Sequence, residues 1–174
     1  DDVYFANGNQ MTGEDVLFSI KTLVDRGTNQ AAYYATVDWD NSYVSEDGFT
    51  VYLANTQEFG PGIINMGVVY LLDQSWCEET GFDNIDPWLN APNGSGPYEV
   101  AEYVTDSYVT LKRRDNYWGD FSGADTVKIN HYAEDSAMYM ALETGEIDLA
   151  LNIAESDYSR ALADDKIAVM TTHE

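Results

Sequence analysis

The clearest periodic stretch lies near the start of the chain, where Val16, Leu17, Ile20, Leu23 and Val24 recur along one helical face. The spacing predicts a helix from Gly13 to Arg26, capped by Thr12 and stopped at Gly27. Asp15, three residues after Thr12, completes a capping box with Asp in the usual place of Glu or Gln. A short strand is expected before it, Val3 to Phe5, ending at the Asn7-Gly8 turn. Weak alternation over Tyr33 to Trp39 and Tyr43 to Val44, then Asp47-Gly48 ahead of Phe49 to Leu53, reads as a hairpin. Beyond the Gly60-Pro61-Gly62 break, the apolar run Ile63 to Leu72 declares no period, and Asp73 is placed to cap a helix reaching about Thr80.

From Asp86 to Pro97 the composition turns to Pro, Asn, Gly and Ser, which predicts a loop. Strands over Tyr98 to Val104 and Tyr108 to Arg114 flank the turn Thr105-Asp106-Ser107, and a third is expected over Thr126 to Tyr132. A helix from Glu134 to Thr144 closes at Gly145. A strand (Ile147 to Leu151), a helix (Ser156 to Ala163) and a last strand (Ile167 to Met170) complete the reading. The class is therefore α+β with α/β character: a mixed β-sheet flanked by helices.

Charge sharpens the picture. Thirty-one acidic residues against eight basic ones leave a net charge of −23, which repels phosphate backbones and anionic lipid, so no nucleic-acid partner is expected. A solvated acidic surface of a secreted or salt-tolerant protein accounts for it. With 44% apolar and 13% aromatic residues among 174, the chain has the material for a core. Cys77 is the sole cysteine and reads as a buried, inert thiol. No apolar run approaches the roughly 18 residues of a spanning helix, and Asp1 and Asp2 are unlike the basic start of a signal peptide. If the protein is exported, its targeting segment is expected to have been removed.

The chain offers little for chemistry. His131 and His173, the two histidines, sit in no metal-ligand spacing, and His131 reads as a packed or hydrogen-bonded imidazole. Asp38, Asp40, Glu46 and Asp47 miss the register of a calcium loop. Gly94-Ser95-Gly96 is followed by Pro97, which has no amide to donate to an oxyanion, and no phosphate-cradling loop is present. Paired carboxylates of an acidic secreted hydrolase stay open as an alternative, as does an adhesive or calcium-stabilised module. No catalytic residue, metal or cofactor is called. The thirteen Tyr and four Trp suit both a core and a groove that holds varied ligands.

Four segments in order carry a resemblance. Phe5-Ala6-Asn7-Gly8 with Met11 to Ile20, Asp47-Gly48-Phe49-Thr50-Val51, Asn93 to Tyr98 followed by Val109 to Arg114 and Asn116-Tyr117-Trp118, and Met138 to Leu142 with Gly145-Glu146-Ile147-Asp148 together resemble the family 5 extracellular solute-binding proteins of peptide, nickel and related ABC transporters. Gly13 stands where Ala is usual, and Asp115 where Asn is.

The resemblance implies part of lobe I of a type II-like (cluster C) periplasmic binding protein, whose two lobes close on a ligand about hinge strands. It implies a peripheral subdomain over 1–92 and, over 93–174, part of the main first-lobe domain leading to the hinge, with the second lobe and the opening strands absent. Family members are about three times this length. It implies no enzyme but a monomeric carrier of oligopeptides or dipeptides, extracellular, periplasmic or held at the cell surface, that delivers its cargo to permease subunits. Nickel chelates or oligosaccharides are the alternative ligands of the same fold. Contact with the membrane would run only through a missing N-terminal lipid anchor or signal. Tyr33, in Ala32-Tyr33-Tyr34-Ala35, is the candidate ligand contact, with packing against the Gly94 loop as the structural alternative.

Overall fold

A computed structural model describes residues 2–58 and 60–171, which leaves His173 outside the described residues. The chain divides into two compact units, Asp1–Tyr103 with Val109–Lys128, and Val104–Tyr108 with Ile129–Glu174.

The first unit is built around helix α1 (Gly13–Asp25), whose capping box forms as the spacing predicts: the Thr12 amide donates to Asp15 Oδ2 at 2.8 Å. Gly27 then adopts φ +62°, a conformation costly for other residues, and the chain reverses. A 3-10 helix (Asn29–Tyr34) follows, and its buried Tyr34 joins Ile20 and Val37 in the core, with Val16, Leu23, Val24, Trp39, Leu53 and Val69 packed around them. Strands β1 (Tyr43–Val44) and β2 (Val51–Tyr52) pair antiparallel, Tyr43 opposite Tyr52, and the two rings stack at 4.6 Å. The hairpin expected around Asp47-Gly48 is thus present, with Gly48 at φ +80°, but its paired strands start at Tyr43; Tyr33 and Tyr34 belong to the 3-10 helix.

Helix α2 (Gly62–Met66) occupies part of the run that lacked a period, and α3 (Gln74–Thr80) is capped by Asp73, whose carboxylate accepts the Trp76 amide. The loop expected from Asp86 to Pro97 is corrected in part, because α4 (Ile85–Asn90) fills its first half. Pro87 sits within the first turn, where a missing amide costs nothing. Trp88 fixes the helix: its ring meets Trp76 and Phe82, and its Nε1 donates to Gly81 O. Val3 to Phe5 forms a single bridge, Tyr4 to Gln10, rather than a strand.

Strands β3 (Tyr98–Val104), β4 (Tyr108–Arg113) and β5 (Thr126–Asn130) form a sheet in that order. The three-residue connection between β3 and β4 allows only antiparallel pairing.

The second unit holds helices α5 (Asp135–Thr144) and α6 (Glu155–Ala163). Gly145 closes α5 at φ +74°, as its position predicts. Tyr139 is fully buried beneath the Arg160 guanidinium, 5.0 Å from the ring centre; burial raises the pKa of its hydroxyl. The strands expected at Ile147 to Leu151 and Ile167 to Met170 are not formed. A strand exists only by pairing, and these segments leave Leu149, Leu151 and Met170 largely exposed. Among the described residues no helix is long and apolar enough to cross a membrane.

Candidate functional site

The two tyrosines after α1 part ways. Tyr34 turns inward and its hydroxyl donates to the Asn65 carbonyl at 2.6 Å, while Tyr33 leaves 46% of its surface to solvent. Asn65, itself buried, returns a bond from Nδ2 to the Tyr33 carbonyl at 3.3 Å. The backbone that displays Tyr33 is therefore clasped from two sides to α2. That helix exposes Ile63 and Ile64, and Tyr70 beyond it is also exposed. This is the only candidate ligand residue that the sequence named, and Asn65 is the partner that sequence reasoning missed; an Asn in an unassigned apolar run gave no signal beyond its isolation.

Two buried charges hold the surrounding loops. Asp73 accepts Asn7 Nδ2, Asn9 Nδ2 and Asn93 Nδ2 on one oxygen and Ser75 Oγ and the Trp76 amide on the other. Burial opposes its charge, yet the donors Ser75, Trp76, Asn7 and Asn9 outweigh that and hold its pKa at about 2. Arg114 donates through Nη1 to Gly94 O and Gly96 O, through Nη2 to Phe5 O and through Nε to Asn116 Oδ1. The Gly94 to Pro97 segment is thus a structural clamp point, tied further by Ala6 N to Gly94 O and by Trp118 Nε1 to Ser95 O. Sequence reading placed Arg114 at a strand end and in the family motif Val109 to Arg114 but gave it no partners.

A hollow of about 410 Å³ is lined by Asn9, Gln10, Asp15, Asp73, Gln74, Ser75 and Glu78. Its two buried carboxylates are committed as acceptors, since Asp15 takes the Thr12 amide and hydroxyl on one oxygen and the Gln74 amide on the other. A carboxyl ionised down to about pH 2 has no proton to give as a general acid near neutrality. Cys77 is buried, and burial together with the charges of Asp73, Asp15 and Glu78 pushes its thiol up to about 11. His131, just past the end of β5, is exposed, which corrects the packed alternative of that expectation. Among the described residues no three His, Cys, Asp or Glu side chains gather as a metal site.

A family model described as "Bacterial extracellular solute-binding proteins, family 5 Middle" matches residues 1–174. The "Probable peptide-binding protein YejA" of Agrobacterium fabrum is 28% identical over 172 residues, which cover 89% of this chain and 27% of that protein. The chain thus spans about a quarter of the length of that relative. NikZ from Campylobacter jejuni, solved in complex with Ni(L-His), superposes with a TM-score of 0.81 at 20% identity, over 95% of this chain and 33% of its own. DppA from Helicobacter pylori, solved with the peptide STSA, gives 0.76 at 20% identity, over 94% of this chain and 36% of its own. At such identities the likeness establishes the fold, and the type II-like binding-protein architecture expected from the sequence is the one observed, over a part of those proteins.

Proposed function

The chain belongs to the family 5 bacterial extracellular solute-binding proteins, and from that membership we propose that it forms part of the first lobe of a protein that captures peptides outside the membrane and delivers them to the permease of an ABC transporter. The family match across residues 1–174 carries this reading, and a 28% identical relative named for peptide binding favours peptides over nickel chelates or oligosaccharides. In this reading the protein is a monomer that returns its cargo unchanged and catalyses nothing. The hydrogen-bonded Asp73, ionised down to about pH 2, supports that, because it has no proton to give near neutrality.

Residues 1–92 act as the peripheral subdomain and 93–174 as a portion of the main first-lobe domain. Tyr33 contacts the ligand; its exposure beside the anchored Tyr34 supports the role. The test is calorimetry on the intact polypeptide with pools of di- to pentapeptides. Saturable heat is expected for peptides, whereas heat for Ni-histidine or oligosaccharides with none for peptides would overturn the peptide reading.

A further inference from the structure

The eight basic residues of this chain do little to offset its thirty-one carboxylates. Even one-to-one pairing would leave twenty-three negative charges, and the basic side chains are largely spent elsewhere. Arg114 is buried among carbonyl oxygens, Arg26 lies over the Phe82 ring, and Lys21 divides itself between Asp25 and the Trp39 ring. Arg113 pairs with a largely exposed Asp125, and the Arg160 pair with Glu143 is also partly open to water, so both contribute little.

The helices add to the imbalance. Helices α1, α3 and α5 carry Asp25, Glu78 with Glu79, and Glu143 in their last turns, and none of the three has a basic residue there. A carboxylate at the negative end of the helix dipole is repelled rather than held. Against this stands a short set of buried apolar side chains among the described residues: Phe5, Ile20, Tyr34, Val37, Cys77, Tyr139, Ala141 and Ala161. Net stability is a small difference of large terms, so uncompensated repulsion of this size decides it.

We propose that the compact state of this chain depends on molar salt, the fold being built for a brine in which screening removes a self-repulsion that its own cations leave unmatched. At 0.1 M ionic strength the screening length is about 10 Å, so exposed carboxylates still repel one another over that distance, whereas at 1 M it is about 3 Å. Diffuse screening is the mechanism, since no three carboxylates among the described residues are gathered to bind a cation specifically. The inference is independent of which ligand the protein carries.

The experiment is thermal unfolding of the intact protein, followed by circular dichroism, in 0.1, 0.5, 1 and 3 M NaCl. The melting temperature is expected to rise by at least about 10 °C across that range, several kcal/mol on the usual conversion for this size. A companion variant replaces six exposed carboxylates by amides: Glu79→Gln, Asp83→Asn, Glu99→Gln, Asp120→Asn, Glu146→Gln and Asp148→Asn. It should melt higher than the parent in 0.1 M NaCl and gain less from salt. A melting temperature that is flat in NaCl, a variant with the full salt response of the parent, or a rise reproduced in full by sucrose at equal osmolality would each overturn the proposal; the last two would assign the effect to solute exclusion instead of charge.

Discussion

The guanidinium of Arg114 donates to the carbonyl of Phe5 at 3.0 Å, joining two segments 109 residues apart in sequence. Phe5 is fully buried and Arg114 nearly so, and the same guanidinium holds Gly94 O and Gly96 O. One planar fork thereby fixes the first turn of the chain, the Gly94 loop and the end of β4, a geometry that an ammonium group cannot copy. Replacing Arg114 by Ala removes the donor to Gly96 O and one of two donors to Phe5 O and to Gly94 O, which keep the Gly8 and Ala6 amides. The expected loss is about 3 kcal/mol or more, with Arg114→Lys in between, read from the urea midpoint at constant slope. A loss under about 1 kcal/mol for Arg114→Ala would show that water replaces the fork without penalty.

Asp73 makes stability depend on acid. Its folded pKa, about 2, lies below the ordinary value of an unfolded Asp, near 3.9, so the unfolded chain takes up the proton first. The stabilisation is therefore present in full above about pH 4 and is lost as pH falls through about 2, amounting to about 2 kcal/mol. Asp73→Asn should be less stable than the parent at pH 7, because an amide nitrogen faces donors, and should flatten the decline between pH 4 and 2. Urea unfolding at pH 7, 4, 3 and 2 compares the two; identical slopes would remove Asp73 as their source.

What the sequence disclosed followed from how local each signal is. Helix α1, its capping box, the β3–β4 hairpin and the Gly145 stop rest on contacts within a few residues, and all of them formed where the pattern put them. Tertiary partners were not legible. Helix α4 depends on Trp88 packing against Trp76 and Phe82, and the segments 147–151 and 167–170 read as short strands yet pair with nothing among the described residues. At the candidate site Tyr33 came from the family motif and the Asp73 cap from its local spacing, while the Asn donors to Asp73 and the carbonyls bound by Asn65 and Arg114 lie 18 to 109 positions away, a distance at which no local pattern speaks.

Gly13 marks the place where this chain departs from the motif's usual Ala, and the structure gives a steric reason. A Cβ built there would lie 2.7 Å from Val44 Cγ1 and 2.9 Å from Val51 Cγ2, both on the β1–β2 hairpin. In an open helix Gly→Ala would gain about 1 kcal/mol. Here the overpacking is expected to reverse that gain, so Gly13→Ala should lose about 1–2 kcal/mol. The double variant Gly13→Ala with Val44→Ala should recover part of that loss, and thermal melts of the four proteins form the cycle that checks it. Additive effects would show that the two sites do not touch.

The clasp on Tyr33 separates cleanly by mutation because its two bonds use different atoms of Asn65. The Tyr34 hydroxyl bonds the main-chain carbonyl, so Asn65→Ala removes only the Nδ2 bond to the Tyr33 carbonyl, and Tyr34→Phe removes only the other. Tyr34→Phe is expected to lower stability by about 1 kcal/mol, since a buried hydrogen bond disappears from the core. Asn65→Ala should instead loosen the presentation of Tyr33 and weaken peptide binding by the intact protein several-fold, with Asn65→Asp no better because a carboxylate cannot donate. In a Tyr33→Phe background, where the hydroxyl proposed to contact the ligand is already gone, the further substitution of Asn65 should change affinity little. Calorimetric titration of the four proteins with one peptide decides the matter: full additivity would mean that Asn65 supports the fold and not the contact, and an unchanged affinity in Tyr33→Phe alone would remove Tyr33 from the site.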